Sequence, residues 1–149
     1  MCLRLYLGSN VDLTHRANEN ISVERLAPDL RNALPDFSES NVYLIGSHTG
    51  CSCGFPSVNA ESHIDFYEGM FDDSAEREEN LASVRELLLV LDECLAAGEN
   101  CTLIPIWNGD EMRPLKGEVR WHRSQMAAET FVITEQFRYT VIAEPCDAP

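Results

Sequence analysis

Residues 74–97 constrain the fold most. Leu81, Val84, Leu88, Leu91 and Leu95 recur at steps of three and four, which places them on one stripe of an α-helix. Leu87 and Cys94 widen the stripe, whereas Leu89 and Val90 lie off it and need a further cover. Asp73 or Ser74 can cap the first turn, and Glu76, Glu78 and Glu79 suit the positive end of the helix dipole. Gly98 suits the left-handed stop after the last turn. A helix with one apolar stripe must bury it against a second layer, and the remaining chain has to supply that layer.

Short apolar segments flank the helix on both sides. Leu3, Leu5 and Leu7 alternate with Cys2, Arg4 and Tyr6, the period of a strand with one buried face, and Gly8-Ser9-Asn10 ends it. Residues 9–20 are polar and read as a surface loop. Ile21–Leu26 reads as a short strand, Pro28–Leu34 as one helical turn led by its proline, and Val42–Ile45 as an apolar strand. Beyond the helix, Cys101–Trp107 reads as a strand. Pro105 cannot donate to a ladder, which predicts an edge or bulged position. Asn108-Gly109 opens a turn, Glu118–His122 is its partner strand, and Phe131–Ile133 with Phe137–Ile142 reads as a closing hairpin. Strands, one long helix and strands again predict a single α+β domain over residues 1–149. Its sheet is mainly antiparallel or mixed, with the helix packed on one face.

Eleven Lys and Arg stand against 25 Asp and Glu, a net charge of −14. Such a surface repels phosphate backbones and anionic headgroups, so neither nucleic acid nor membrane is an expected partner. No stretch approaches the roughly 20 apolar residues of a membrane-spanning helix, and Met1–Gly8 has too short an apolar run for a secretory signal. The six cysteines fall well short of a disulfide scaffold's density. Together these features predict a cytoplasmic protein with reduced thiols. Eight acidic residues between Glu61 and Glu79 surround Phe66, Tyr67, Met70 and Phe71, which are expected to pin that segment to the domain.

Between the Val42 strand and the acidic segment lies Gly46-Ser47-His48-Thr49-Gly50-Cys51-Ser52-Cys53-Gly54-Phe55. His48, Cys51 and Cys53 form a set of thiolates and imidazole suited to zinc or another borderline-soft metal. Gly50 and Gly54 let the backbone turn both sulfurs toward one point. Zinc takes four ligands, and Cys2, His63, His122 or Cys146 would supply the fourth. Cys2 lies beside the loop only if the first strand pairs antiparallel with the Val42 strand. The single residue between the cysteines is fewer than the two to four of structural zinc sites. Two other readings stand beside this one. A histidine, His48, His63 or His122, could activate Cys51 or Cys53 as a thiolate, and a Cys51–Cys53 disulfide would be a strained, easily reduced ring. Alternatively, the turn needs small residues where backbones meet closely, with cysteine acting as a small hydrophobe. No Lys or Arg occurs between Ala33 and Glu76, which argues against a phosphate cradle, and neither glycine-rich nucleotide fingerprint is present. Loss of Met1 would expose Cys2 as an N-terminal nucleophile.

Tyr43–Phe55, together with the Met1-Cys2 start and its alternating leucines, resembles a strand followed by GSHxGCxCGF in small uncharacterised bacterial proteins. The resemblance implies no activity. The residues themselves lead to an acidic α+β domain whose best candidate site is the His48–Cys53 loop, binding a metal such as zinc with Cys2 completing the set. A thiol-dependent enzyme or redox protein using Cys51 or Cys53 is one alternative. An interaction module with purely structural cysteines is another, its acidic 61–79 segment or Leu89 and Val90 meeting a protein partner or a second copy of the chain.

Overall fold

The alternating leucines of the first strand sit at the centre of the structure, a computed structural model that describes residues 3–34, 37–58, 74–98 and 100–143. In chain order its elements are β1 (Leu3–Ser9), β2 (Ser22–Arg25), α1 (Pro28–Asn32), β3 (Asn41–Gly46), β4 (Ser57–Val58), α2 (Ser74–Ala96), β5 (Cys101–Trp107), β6 (Gly117–His122), β7 (Ile133–Thr134) and β8 (Phe137–Ile142). Six strands form one sheet in the order β2-β3-β1-β5-β8-β6, and β4 pairs with β7 in a separate parallel pair. β1 runs antiparallel to both neighbours, with Leu5 opposite Ile45 of β3 and Leu7 opposite Leu103 of β5. Only the β6–β8 pair within the large sheet is parallel. The sheet is therefore mixed and the fold α+β.

α2 covers one face of this sheet. Leu81, Val84, Leu87, Leu88, Leu91 and Cys94 are buried with Leu3, Leu5, Leu7, Tyr43, Ile45 and Leu103, and Leu95 packs at the margin. Val90, expected off the stripe, is also fully buried, while Leu89 remains 47% exposed. A contact face this wide leaves only one of the two residues for solvent. Gly98 stops the helix as expected: its φ is +82° and its N–H donates to Leu95 O at 3.0 Å.

β1 is buried on both faces, not one. On the side away from α2, Tyr6, Val42, Ile104 and Ile106 are buried beneath Leu26, Leu34, Phe37, Leu44 and Leu115. The segment around α1, entered through Pro28 in its first turn, folds over this second face. That cover explains why a strand with Arg4 and Tyr6 at alternate positions can hold the middle of a sheet.

Three expectations for the C-terminal half are corrected. β5 is central, between β1 and β8, although it contains Pro105. The Pro105 carbonyl accepts from Gln136 N at 2.8 Å, so its N and C=O point away from β1. The β8 register with β5 runs only from Cys101 to Leu103, so the missing N–H falls where no ladder bond is needed. β6 pairs with β8 and not with β5. β7 and β8 form no hairpin. Gln136, at φ +63°, turns the chain between them, and β7 leaves to pair with β4, with Ile133 N donating to Pro56 O at 3.0 Å. The acidic run from Glu61 to Asp73, with its aromatic residues and the Asp73 cap, lies outside the described residues.

Candidate functional site

The loop after β3 is built on two buried serines. Ser47 N and Ser47 Oγ both donate to Cys51 O, at 2.7 and 2.8 Å, and Gly54 N donates back to Ser47 Oγ at 3.1 Å. Ser52 Oγ accepts from Leu5 N at 2.8 Å and donates to Ile45 O at 2.6 Å. It thereby bridges β1 and β3 at the last pair of their register, Leu5 and Ile45. Ser52 also begins a 3-10 turn through Gly54, closed by Phe55 N donating to Ser52 O at 3.1 Å, and Phe55 is buried. Close approach explains two of the glycines. A Cβ on Gly54 would lie 2.7 Å from Ser47 Cβ and 3.0 Å from Asn80 Oδ1, and one on Gly46 would lie 3.0 Å from Gly50 O. Gly50 supplies the left-handed turn, φ +87°.

Both nitrogens of the His48 ring face α2. Nδ1 lies 3.1 Å from Ser83 Oγ, the same oxygen that accepts the His48 backbone N–H at 2.9 Å. Nε2 lies 3.2 Å from Glu79 Oε2. A neutral imidazole satisfies this arrangement: Ser83 donates its hydroxyl proton to Nδ1, and Nε2–H donates to the carboxylate. The side chain of buried Asn80, one helical turn before Ser83, meets the back of the same loop, and its Nδ2 has no hydrogen-bond partner. His48 therefore clips the loop to the helix.

Cys51 and Cys53 are half-buried thiols. The Cys51 sulfur lies 3.3 Å from Thr49 Oγ1, and Cys51 lines a cleft of about 240 Å³ together with Arg4, Ser22, Glu24, Gly50 and Asn108. An adjoining cleft of about 290 Å³ shares Arg4, Glu24 and Leu44 and continues toward α1. Strand pairing meets the condition set for Cys2: β1 is antiparallel to β3, and the start of β1 runs beside the loop. Cys2 itself, like His63 and Cys146, lies outside the described residues. His122 is excluded as a fourth ligand, since β6 stands four strands from β3, about 19 Å at the usual strand spacing. Among the described residues no three His, Cys, Asp or Glu side chains converge as metal ligands.

Two features escaped the sequence reading. Cys94, late in α2, and Cys101, at the start of β5, are fully buried and hydrogen-bonded to each other, and Ser9 Oγ donates to Cys94 Sγ at 3.2 Å. The bonds from Cys101 and Ser9 hold the Cys94 thiol below its ordinary value, while the bond to Cys94 and burial push Cys101 up. Their signal lies in the tight return at Gly98, which brings the helix end onto the strand start. The second feature is Glu39, a buried carboxylate that accepts from the hydroxyls of Thr102 and Ser38 and borders a polar cleft with Asn10, Asn100 and Arg138. Nothing in the polar run Ser38–Asn41 distinguishes it.

No helix among the described residues is long and apolar enough to cross a membrane. No protein-family model, curated protein or solved structure matches the chain.

Proposed function

We propose that the protein is a thiol-dependent enzyme that takes a small polar molecule into the cleft on the second face of the sheet and acts on it through Cys51. One observation carries the reading: Cys51 lines a cleft that also presents a cation, a carboxylate and an amide in Arg4, Glu24 and Asn108. By contrast, Cys94 and Cys101 are sealed in the core. An accessible thiol beside groups able to orient a substrate is what nucleophilic chemistry needs. His48 serves this site from behind, by fixing the loop to α2, and not as its base. The test is alkylation of the native protein by iodoacetamide, read by peptide mass spectrometry. Cys51 should react faster than Cys53 and faster than it does in the urea-unfolded chain, because a poised thiolate outpaces an ordinary one. A Cys51 slower in the native protein than in the unfolded chain refutes the reading.

Metal binding is the second reading, favoured by the antiparallel pairing that runs the start of β1 beside the loop. It requires His48 to exchange Ser83 or Glu79 for the metal. Protein purified without chelator would then carry close to one equivalent of zinc by elemental analysis, lost in both Cys51→Ser and Cys53→Ser. Metal-free protein refutes it.

A further inference from the structure

We propose that the cavity beside α1 binds a small organic anion, a phosphate or carboxylate group carried on an apolar body. The cavity has a volume of about 630 Å³ and lies where the end of β2, α1 and the start of β3 meet, a size typical of ligand pockets. Arg25, Arg31, Asn32 and Asn41 give it donors, while Leu34 and Phe37 are among its apolar walls. No carboxylate lines it among the described residues. In a chain with a net charge of −14 and eleven cationic residues, two guanidiniums on one cavity with no acidic side chain among the described residues of its wall are a concentrated exception.

Both arginines are held in place in ways that leave charge for a ligand. The Arg31 guanidinium donates to the backbone carbonyls of Phe37, Glu39 and Ser40. These are neutral acceptors, so they fix the planar fork without cancelling its charge. Arg25 donates to the Tyr43 hydroxyl at 3.3 Å and lies 5.7 Å above the Tyr43 ring. Its carboxylate neighbour is Asp12, 3.5 Å away, with both side chains largely exposed. An exposed pair of that kind contributes little, and an anion in the cavity can compete with it. Pre-positioned guanidinium forks match the oxygens of carboxylates and phosphates. Leu26 and Leu34 are shared with the neighbouring 290 Å³ cleft, which gives the apolar part of the ligand its direction. This proposal does not rest on the Cys51 reading, because the two clefts have no lining residue in common.

Isothermal titration of the full chain tests it, with phenyl phosphate and benzoate as probes and benzyl alcohol as the uncharged control. Saturable binding of either anion is expected, and the tighter of the two identifies the preferred headgroup. Benzyl alcohol should not bind. Arg25→Gln should weaken the anion about tenfold or more, the usual loss for a charged hydrogen bond. Because Arg25 is 46% exposed, this substitution leaves the fold intact. Amide NMR shifts on binding should cluster at Asn32, Ser40 and Asn41. The proposal is overturned by no binding of either anion up to about 10 mM, by benzyl alcohol binding as tightly, by unchanged affinity in Arg25→Gln, or by shifts clustered elsewhere.

Discussion

Replacing Ser52 by alanine tests whether the loop is held by its serines. The Ser52 hydroxyl is buried, accepts from Leu5 N and donates to Ile45 O. Alanine fills the same space except for that oxygen, so a backbone N–H and a backbone C=O lose their partner together in a site closed to water. Each buried group left unsatisfied costs about 1–3 kcal/mol, so the pair costs about 2–6 kcal/mol. That is a large share of the roughly 5–15 kcal/mol that stabilises a domain. Urea unfolding at fixed pH measures it. With a slope of about 2 kcal/mol per molar, the midpoint should fall by about 1–3 M with the slope unchanged. Cys51→Ser in the same assay should cost less than about 1 kcal/mol, since its sulfur is half-buried and borders a cleft. A loss below about 0.5 kcal/mol for Ser52→Ala, the level of an ordinary surface change, would refute the reasoning.

Leu91→Ala should cost about 2–5 kcal/mol by thermal or urea unfolding, because Leu91 is fully buried between α2 and the sheet. Leu89→Ala, two residues away on the exposed side of the helix, should cost less than about 0.5 kcal/mol. Gly54→Ala should destabilise by about 1–3 kcal/mol, since the new Cβ would press on Ser47 Cβ and Asn80 Oδ1; an unchanged urea midpoint would contradict that packing. Glu93 gives a pH test. The hydrogen bond from His15, followed by the charge of Arg16, holds its carboxyl below the ordinary value of 4.5. A depressed carboxyl adds stability above its unfolded value and loses it as pH falls through its folded value. The stability gap between the native chain and Glu93→Gln should therefore be present above pH 4.5 and close on acidification; a gap independent of pH would contradict the pairing.

Local signals carried well from sequence to structure. The leucine stripe, the Gly98 stop, the β1 strand and the Pro28 turn each depend on residues close together in the chain and stand where expected, although β1 is buried on both faces and not on one. Pairing across the sheet did not carry. Pro105 points to an edge by its own chemistry, yet its place is decided by Gln136, which takes its carbonyl, and by a β8 register that stops at Leu103. In the candidate site the conspicuous residues drew attention to the right loop, but its geometry depends on Ser47 and Ser52, whose type is common in any turn. Arg25 and Arg31 look like ordinary surface charges until α1 folds back over the second face and places both on one cavity.

The central position of β1 has a consequence for synthesis of the chain. Leu3 stands opposite Trp107, so β1 leaves the ribosome long before the strand that completes its far side. At about 5–20 residues per second, β5 follows it by about 5–20 s. The helix that covers Leu3, Leu5 and Leu7 also comes late. For that interval the nascent chain carries a leucine-rich strand with an open edge, the arrangement by which neighbouring chains on a polysome pair with each other. Acidic side chains already outnumber basic ones over the stretch through Glu79 that emerges meanwhile, and the mutual repulsion of such chains holds them apart. The acidity of this protein thus acts while the chain is being made, as protection for a strand whose last partner has yet to be translated.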